Sequence, residues 1–144
     1  MAKYGKDAYY FAIFGRAYPR SNAPTPNEAV RDEIAFLALS FDGKVHVGDW
    51  QIVGREPIAD DMPLPAYKEA IGAPDRIFVV DYSGQMRRPA TAREIDELRH
   101  RAVVAPVRLE KALRAKHGLE NWTSAYDELR PDSRRTTKAL FRVS

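Results

Sequence analysis

The stretch that decides the fold is IAFLALSFDGKVHVGDWQIV, residues 34–53. Its two halves, residues 34–41 and 44–53, are rich in aromatic and β-branched side chains, a composition that favours strands. Between the halves lie Asp42 and Gly43. This dipeptide favours a two-residue type I′ turn, because such a turn needs positive φ at both central positions. The stretch therefore predicts a β-hairpin.

Two further segments, residues 9–15 and 77–82, are short apolar runs bounded by turn residues, which is typical of strands. Residues 67–71 lie before the second of these runs. They are interpreted as one helical turn, because Gly72 and Pro74 stop the pattern directly afterwards.

The C-terminal part of the chain carries helix signals. Thr91 followed by Glu94 forms a capping box, in which the two residues cover unpaired N–H groups of a first helical turn. Pro106 suits the first turn of a second helix, and Gly118 suits the position just past its end. A third helix is predicted from Asn121, because the apolar residues that follow recur at helical spacing.

The sequence thus predicts an α+β fold in a single domain, residues 1–144. Residues 8–82 supply a mostly antiparallel sheet, and residues 91–130 supply helices that pack on it. Residues 131–144 form a basic tail, in which residues 136–143 alternate in a way that suits an edge strand. The length and the 44% hydrophobic content fit one hydrophobic core.

The composition excludes several classes of site. The chain has no cysteine, so disulfides, thiolate zinc sites and cysteine nucleophiles are excluded. No apolar run approaches the roughly 18 residues that a membrane helix needs. The N-terminal residues lack the long apolar stretch of a secretion signal. We therefore expect a cytoplasmic protein with no membrane partner.

Charge is unevenly spread along the chain. Residues 1–86 hold nine basic and twelve acidic residues, a net charge of −3, whereas residues 87–144 hold fourteen and eight, a net charge of +6. The pairs Arg93–Glu97, Glu97–Arg101 and Glu110–Arg114 have the i,i+4 spacing of helical ion pairs. The basic residues without such a partner are Arg87, Arg88, Arg134, Arg135, Lys138 and Arg142. They leave phosphate binding open, but no aromatic-interleaved nucleic-acid motif accompanies them, so nucleic acid is not expected as a partner.

Residues for catalysis or metal binding are sparse. The three histidines, His46, His100 and His117, are too scattered for a metal motif. Asp49 is close to His46, but side chains three apart on a regular strand point to opposite faces. Trp50 is interpreted as an aromatic residue packed on the sheet. The sequence therefore predicts no catalytic residue, no metal ligand and no cofactor.

Residues 48–58, GDWQIVGREPI, resemble the immunity protein 26 family of bacterial polymorphic-toxin and contact-dependent growth inhibition systems. The family pattern is a strand followed by Gly-x-Trp-x-Ile-Ile/Val-Gly-x-x-Pro-Leu/Ile. This sequence matches it at Gly48, Trp50, Ile52, Gly54, Pro57 and Ile58. Residues 34–39 and the opening run YFAIFGR, residues 10–16, are also similar to the family.

The resemblance implies a protein that works by binding. Its partner would be the C-terminal domain of a cognate toxin, for example a nuclease, which an immunity protein neutralises without catalysis or cofactor. The residues we expect at this interface lie in or near a proline-bounded acidic loop and are Asp49, Arg55, Glu56, Asp60 and Asp61. Two alternatives stay open, a nucleic-acid-binding regulator and a small metal-dependent phosphoester hydrolase.

Overall fold

The computed structural model of the protein describes residues 2–4 and 8–141. Within them, the strands are β1 (Ala2–Tyr4), β2 (Ala8–Phe14), β3 (Ile34–Ser40), β4 (Tyr67–Ala70), β5 (Ile77–Val80), β6 (Arg87–Pro89) and β7 (Val103–Val104). The α-helices are α1 (Pro26–Ala29), α2 (Gly43–His46), α3 (Ala92–Glu97), α4 (Pro106–Lys116) and α5 (Thr137–Phe141). Short 3-10 helices cover Arg20–Asn22, Ser124–Leu129 and Ser133–Arg135. The predicted α+β class is confirmed.

The first sheet has the strand order β1-β2-β3-β7. β2 and β3 pair in antiparallel fashion, and β7 joins the other edge of β3 in parallel. β3 is apolar along most of its length because both of its faces are covered: the neighbouring residues Phe36 and Leu37 face opposite ways and are both buried. The strands predicted at residues 9–15 and 34–41 are confirmed.

The second sheet has the order β4-β5-β6 and is antiparallel. The strand predicted at residues 77–82 is confirmed as β5, but the prediction of one sheet is wrong. Residues 67–71, interpreted as a helical turn, instead contain β4, whose Tyr67 pairs with Val80. Gly72 adopts a φ of 85° at the reversal that brings the two strands together.

Three apolar clusters join the sheets and helices. The first lies between the first sheet and α4, and its buried members are Phe11, Phe36, Leu109, Ala112, Ala115, Tyr126 and Leu129. The second lies between the two sheets, and its buried members are Ala8, Tyr10, Leu37 and Leu39. The third lies on the far face of the second sheet, and its buried members are Ala66, Val79 and Leu98.

The hairpin predicted at Asp42 and Gly43 is wrong. Asp42 has a φ of −89° and Gly43 begins α2, so the positive φ values of a type I′ turn do not occur. The Asp42 carbonyl instead accepts hydrogen bonds from the N–H groups of Val45, at 3.0 Å, and His46, at 3.1 Å. A strand beyond this point has no free edge to join, because β2 and β7 already pair with Ser40 from both sides.

The capping box and the second predicted helix are confirmed, but the third helix differs. The Thr91 hydroxyl accepts from the Glu94 N–H, at 3.2 Å, and the Glu94 carboxylate accepts from the Thr91 N–H, at 2.9 Å. α4 begins at Pro106, and Gly118 lies just past its end with a φ of 75°. The helix predicted from Asn121 is wrong in type and start, because only the 3-10 helix Ser124–Leu129 forms.

The C-terminal tail folds onto the second sheet as a helix. The edge strand suggested for residues 136–143 is wrong, because α5 occupies most of that range. The Thr137 hydroxyl donates to the Pro65 carbonyl, at 3.1 Å, and accepts from the Tyr82 N–H, at 2.8 Å. These two side-chain hydrogen bonds, rather than backbone hydrogen bonds between strands, join the start of α5 to Pro65 and Tyr82. The last residues of the prediction, 142 and 143, lie outside the described residues.

Candidate functional site

The segment that follows α2, residues 47–61, is the most exposed part of the described chain. Residues 51–59 adopt no regular secondary structure, and every residue from 51 to 61 is exposed. The segment carries large apolar side chains on its surface. Val47 is 72% exposed, Ile52 67% and Val53 78%. We call residues 47–61 the exposed segment.

Trp50 fixes the N-terminal end of the exposed segment. Its ring meets Phe11 of β2 edge to face, with the centroids 5.6 Å apart, and its Nε1 donates to Glu110 Oε1 at 2.8 Å. The Trp50 N–H donates to the Lys44 carbonyl at 3.0 Å. Trp50 therefore packs on the sheet as predicted, although it does so half-buried and from a loop rather than from a strand.

Two further contacts hold the exposed segment in place. A Cβ atom added to Gly54 would lie 2.5 Å from Cγ of Pro26, so this backbone passes directly over the start of α1. Just after the far end, the Thr137 N–H donates to the Leu64 carbonyl at 2.9 Å, which ties the chain to α5. The segment is irregular but anchored at its start, near its middle and just after its end.

The predicted interface residues all lie on the exposed segment, and the structure gives them different surroundings. Asp49 forms an ion pair with Lys44 at 3.3 Å, and this hydrogen bond holds the pKa of Lys44 above its usual value. The other four, Arg55, Glu56, Asp60 and Asp61, are exposed and form no hydrogen bond or ion pair with another described residue. Their charges are therefore available to a partner.

The histidines do not assemble a site. His46 Nε2 lies 3.1 Å from Asp42 Oδ2, so its acidic neighbour is Asp42 rather than Asp49. His117 caps the end of α4, and His100 forms an isolated bridge with Lys68. In the part of the chain that the structure describes, no group of three or more His, Cys, Asp or Glu residues is placed to hold a metal ion.

Basic residues form a second candidate site, of which the sequence singled out only Arg135. A cavity of about 140 Å³ opens where the first sheet meets β4, with a mainly apolar floor and four arginines around it. These arginines are Arg99, Arg108, Arg130 and Arg135. They come from three separate segments, so only the tertiary fold places them together. We call this cavity the arginine pocket.

Several other basic residues are neutralised locally. Arg88, expected to lack a partner, makes a bidentate ion pair with Glu94 at 2.8 and 2.6 Å. The same hydrogen bonds lower the pKa of Glu94 to about 2. Arg134, also expected to lack a partner, pairs with Asp132 at 3.3 Å and lowers the pKa of that carboxyl.

Three helical ion pairs were predicted. The Glu97–Arg101 pair lacks its helical setting, because α3 ends at Glu97. Arg93–Glu97 is confirmed at 2.8 Å. Glu110–Arg114 is wrong. Glu110 instead accepts a hydrogen bond from Trp50, and Arg114 forms an ion pair with Glu120 at 3.6 Å. Arg142 lies outside the described residues.

Among the described residues, no helix has both the length and the apolar character to cross a membrane. No protein-family model matches the chain, and searches of the curated proteins and of the solved structures found no match either.

Proposed function

We propose that this chain binds and neutralises a cognate bacterial toxin domain through the exposed segment, in the cytoplasm and without catalysis. The observation that carries the proposal is the exposure of Val47, Ile52 and Val53 beside carboxylates that have no described partner. The resemblance of residues 48–58 to the immunity protein 26 family points to the same part of the chain.

Burial of the exposed apolar side chains would contribute favourable free energy to binding. Ile58, which is 47% exposed, extends the set formed by Val47, Ile52 and Val53 along the segment. Exposed apolar side chains grouped together and rimmed by polar ones are typical of protein-interaction sites. Each β-branched side chain gains stabilisation when a partner removes it from water.

The charges indicate the kind of partner. Residues 47–61 carry four carboxylates and one guanidinium, a net charge of −3. A basic surface complements this charge, and such complementarity mainly accelerates association and selects the partner. A nuclease toxin suits the segment, because a surface that binds nucleic acid is itself basic.

The anchoring limits the entropy lost on binding. Trp50 and Gly54 hold the segment against β2 and α1, and Pro57 restricts the backbone between the charged residues. A segment that is already restrained loses less conformational entropy when a partner immobilises it.

The experiment begins with co-purification of this protein and the C-terminal domain of the toxin encoded beside it. Association and dissociation rates are then measured for the triple variant Glu56→Lys, Asp60→Lys, Asp61→Lys. Because the three lysines would repel a basic partner at the rim of the interface, we expect the association rate to fall strongly. High salt should screen this repulsion and restore part of the rate. A second variant, Ile52→Ser with Val53→Ser, should mainly speed dissociation.

The matched control is Glu33→Lys, Asp75→Lys, Asp96→Lys. It makes the same change in net charge at exposed positions outside the segment. Equal slowing by the control would show that only the overall charge matters and would remove the segment from the interface. Failure of the toxin domain to form any complex with the wild-type protein would remove the neutralising function.

A further inference from the structure

We propose that the arginine pocket binds a small organic anion, with one carboxylate or phosphate group on an apolar body about the size of a benzene ring. The pocket shares no lining residue with the exposed segment. The inference therefore stands independently of the proposed function.

The floor of the pocket sets the size and character of the apolar body. Leu37, Leu39 and Val104 of the first sheet line it on one side, and Pro65 and Leu129 line it on the others. The cavity volume of about 140 Å³ is close to that of an engineered apolar cavity, roughly 150 Å³, that takes up benzene. A ring or a branched chain of similar bulk fits this space.

The arginines supply the anion site. Arg99 Nη1 donates to the Glu128 carbonyl at 2.8 Å, and Arg99 forms no ion pair with any described carboxylate. Arg108 Nη2 donates to the Ala125 carbonyl at 2.7 Å and lies 3.5 Å from the Glu128 carboxylate. Each guanidinium has five N–H donors, so both retain several for a ligand.

The pocket also contains acidic side chains. Glu128 and Asp132 line it and offset two of the four guanidinium charges. Asp132 is engaged by Arg134, at 3.3 Å, and by Arg135, at 3.5 Å. The lining keeps a net charge of +2 with histidine neutral, which favours one anionic group over a cation or a neutral molecule.

Backbone hydrogen bonds hold the main chain of two of the arginines beside the pocket. The Ala66 N–H donates to the Arg135 carbonyl at 2.8 Å, and the Lys68 N–H donates to the Arg99 carbonyl at 3.0 Å. Residues two apart on a strand direct their N–H groups to the same side. The backbones of Arg135 and Arg99 are therefore held one after the other beside residues 66–68, which sets the points from which both side chains start.

The test is a two-dimensional amide NMR titration of the full chain with benzoate, phenyl phosphate, inorganic phosphate and the neutral benzyl alcohol. We expect benzoate or phenyl phosphate to bind with a Kd on the order of a millimolar, which is ordinary for a ligand of about ten heavy atoms. The shifted amides should cluster at residues 37–39, 65–67 and 99–104. Preference between the two ring compounds identifies the anionic group.

Variants connect binding to the pocket. Arg99→Gln and Arg108→Gln should each weaken binding roughly tenfold or more, since each removes a charge-assisted hydrogen bond. Arg87→Gln makes the same charge change at an exposed position of β6 and should leave the Kd unchanged. Ala102→Phe keeps every arginine and adds a bulky side chain at the wall of the cavity, so it should weaken binding of the ring compounds. The spectrum of each variant also shows whether it is folded.

Three results would overturn the inference. One is the absence of saturable shifts with either ring compound at tens of millimolar. Another is equal weakening by Arg87→Gln and by the pocket variants, which would leave only a general charge effect. The third is equal affinity within either of two pairs. Equal affinity for benzyl alcohol and benzoate would mean that the arginines do not contribute to binding, and equal affinity for inorganic phosphate and phenyl phosphate would mean that the apolar floor does not.

Discussion

The indole Nε1 of Trp50 donates a hydrogen bond to the Glu110 carboxylate at 2.8 Å and so joins the exposed segment to α4. Lys44 approaches the same carboxylate at 3.5 Å. Residues far apart in the chain therefore meet at one carboxylate, and the exposed segment starts from that point. The position of the exposed segment therefore depends on contacts with Glu110, which is distant in the sequence and which no local sequence pattern predicts.

Trp50→Phe should lower the free energy of unfolding by about 1–2 kcal/mol, because it deletes the hydrogen bond but keeps an aromatic ring against Phe11. Trp50→Ala should cost about 2–4 kcal/mol, somewhat less than a fully buried tryptophan would cost, since Trp50 is half-buried. Urea unfolding measures both. Glu110→Gln keeps an acceptor and serves as the control; a Trp50→Ala variant as stable as the wild type would contradict the anchoring role.

Gly54→Ala should destabilise the protein by about 1–3 kcal/mol, because the added methyl group would collide with the Pro26 ring. Gly43→Ala is the matched control. Its new Cβ meets nothing within 4 Å and it lies in α2, so it should be neutral or stabilise by up to about 1 kcal/mol. Thermal unfolding of both variants checks the contrast, and similar effects from the two alanines would count against close packing at Gly54.

Acid should weaken the protein through Glu94. Its pKa is lowered from 4.5 to about 2 by the hydrogen bonds from Arg88, so its stabilisation is complete above pH 4.5 and is lost as the pH falls towards 2. After allowance for solvent around the partly exposed Arg88, the loss should be about 1–2 kcal/mol.

Glu94→Gln tests this contribution, because glutamine keeps the shape but does not titrate. Urea unfolding of the wild type and of the variant between pH 2 and pH 6 should show the two free energies converging as the pH falls. A difference that stays constant across this range would assign the acid sensitivity to other groups.

Ser40→Ala should cost about 1–2 kcal/mol. Ser40 is fully buried, and its hydroxyl donates to the Val104 carbonyl at 2.7 Å, which ties the short β7 to β3. Removal leaves a buried carbonyl with one partner fewer. Amide hydrogen exchange should show faster exchange at residues 103–104 in this variant, whereas unchanged exchange there would mean that the hydroxyl does not hold β7.

The sequence by itself determined the elements whose stabilising partners are close in the chain. The capping box of Thr91 and Glu94, the proline start of α4 and the glycine after its end depend on hydrogen bonds and dihedral angles within a few residues. The apolar runs of β2, β3 and β5 were equally clear, because a strand covered on both faces must be apolar throughout.

The tertiary structure decided everything that depended on which edges and surfaces were free. Asp42-Gly43 favours a hairpin only where a second strand has an edge to join, and β2 and β7 already occupy both edges of β3 beside it. The arginine pocket needs residues from three segments, none of which carries a signal for the others. The proposed interface residues were named from sequence, but their availability to a partner follows from the fold. Hydrogen bonds within a turn are encoded locally, whereas the competition for strand edges and apolar surface is resolved only when the whole chain packs.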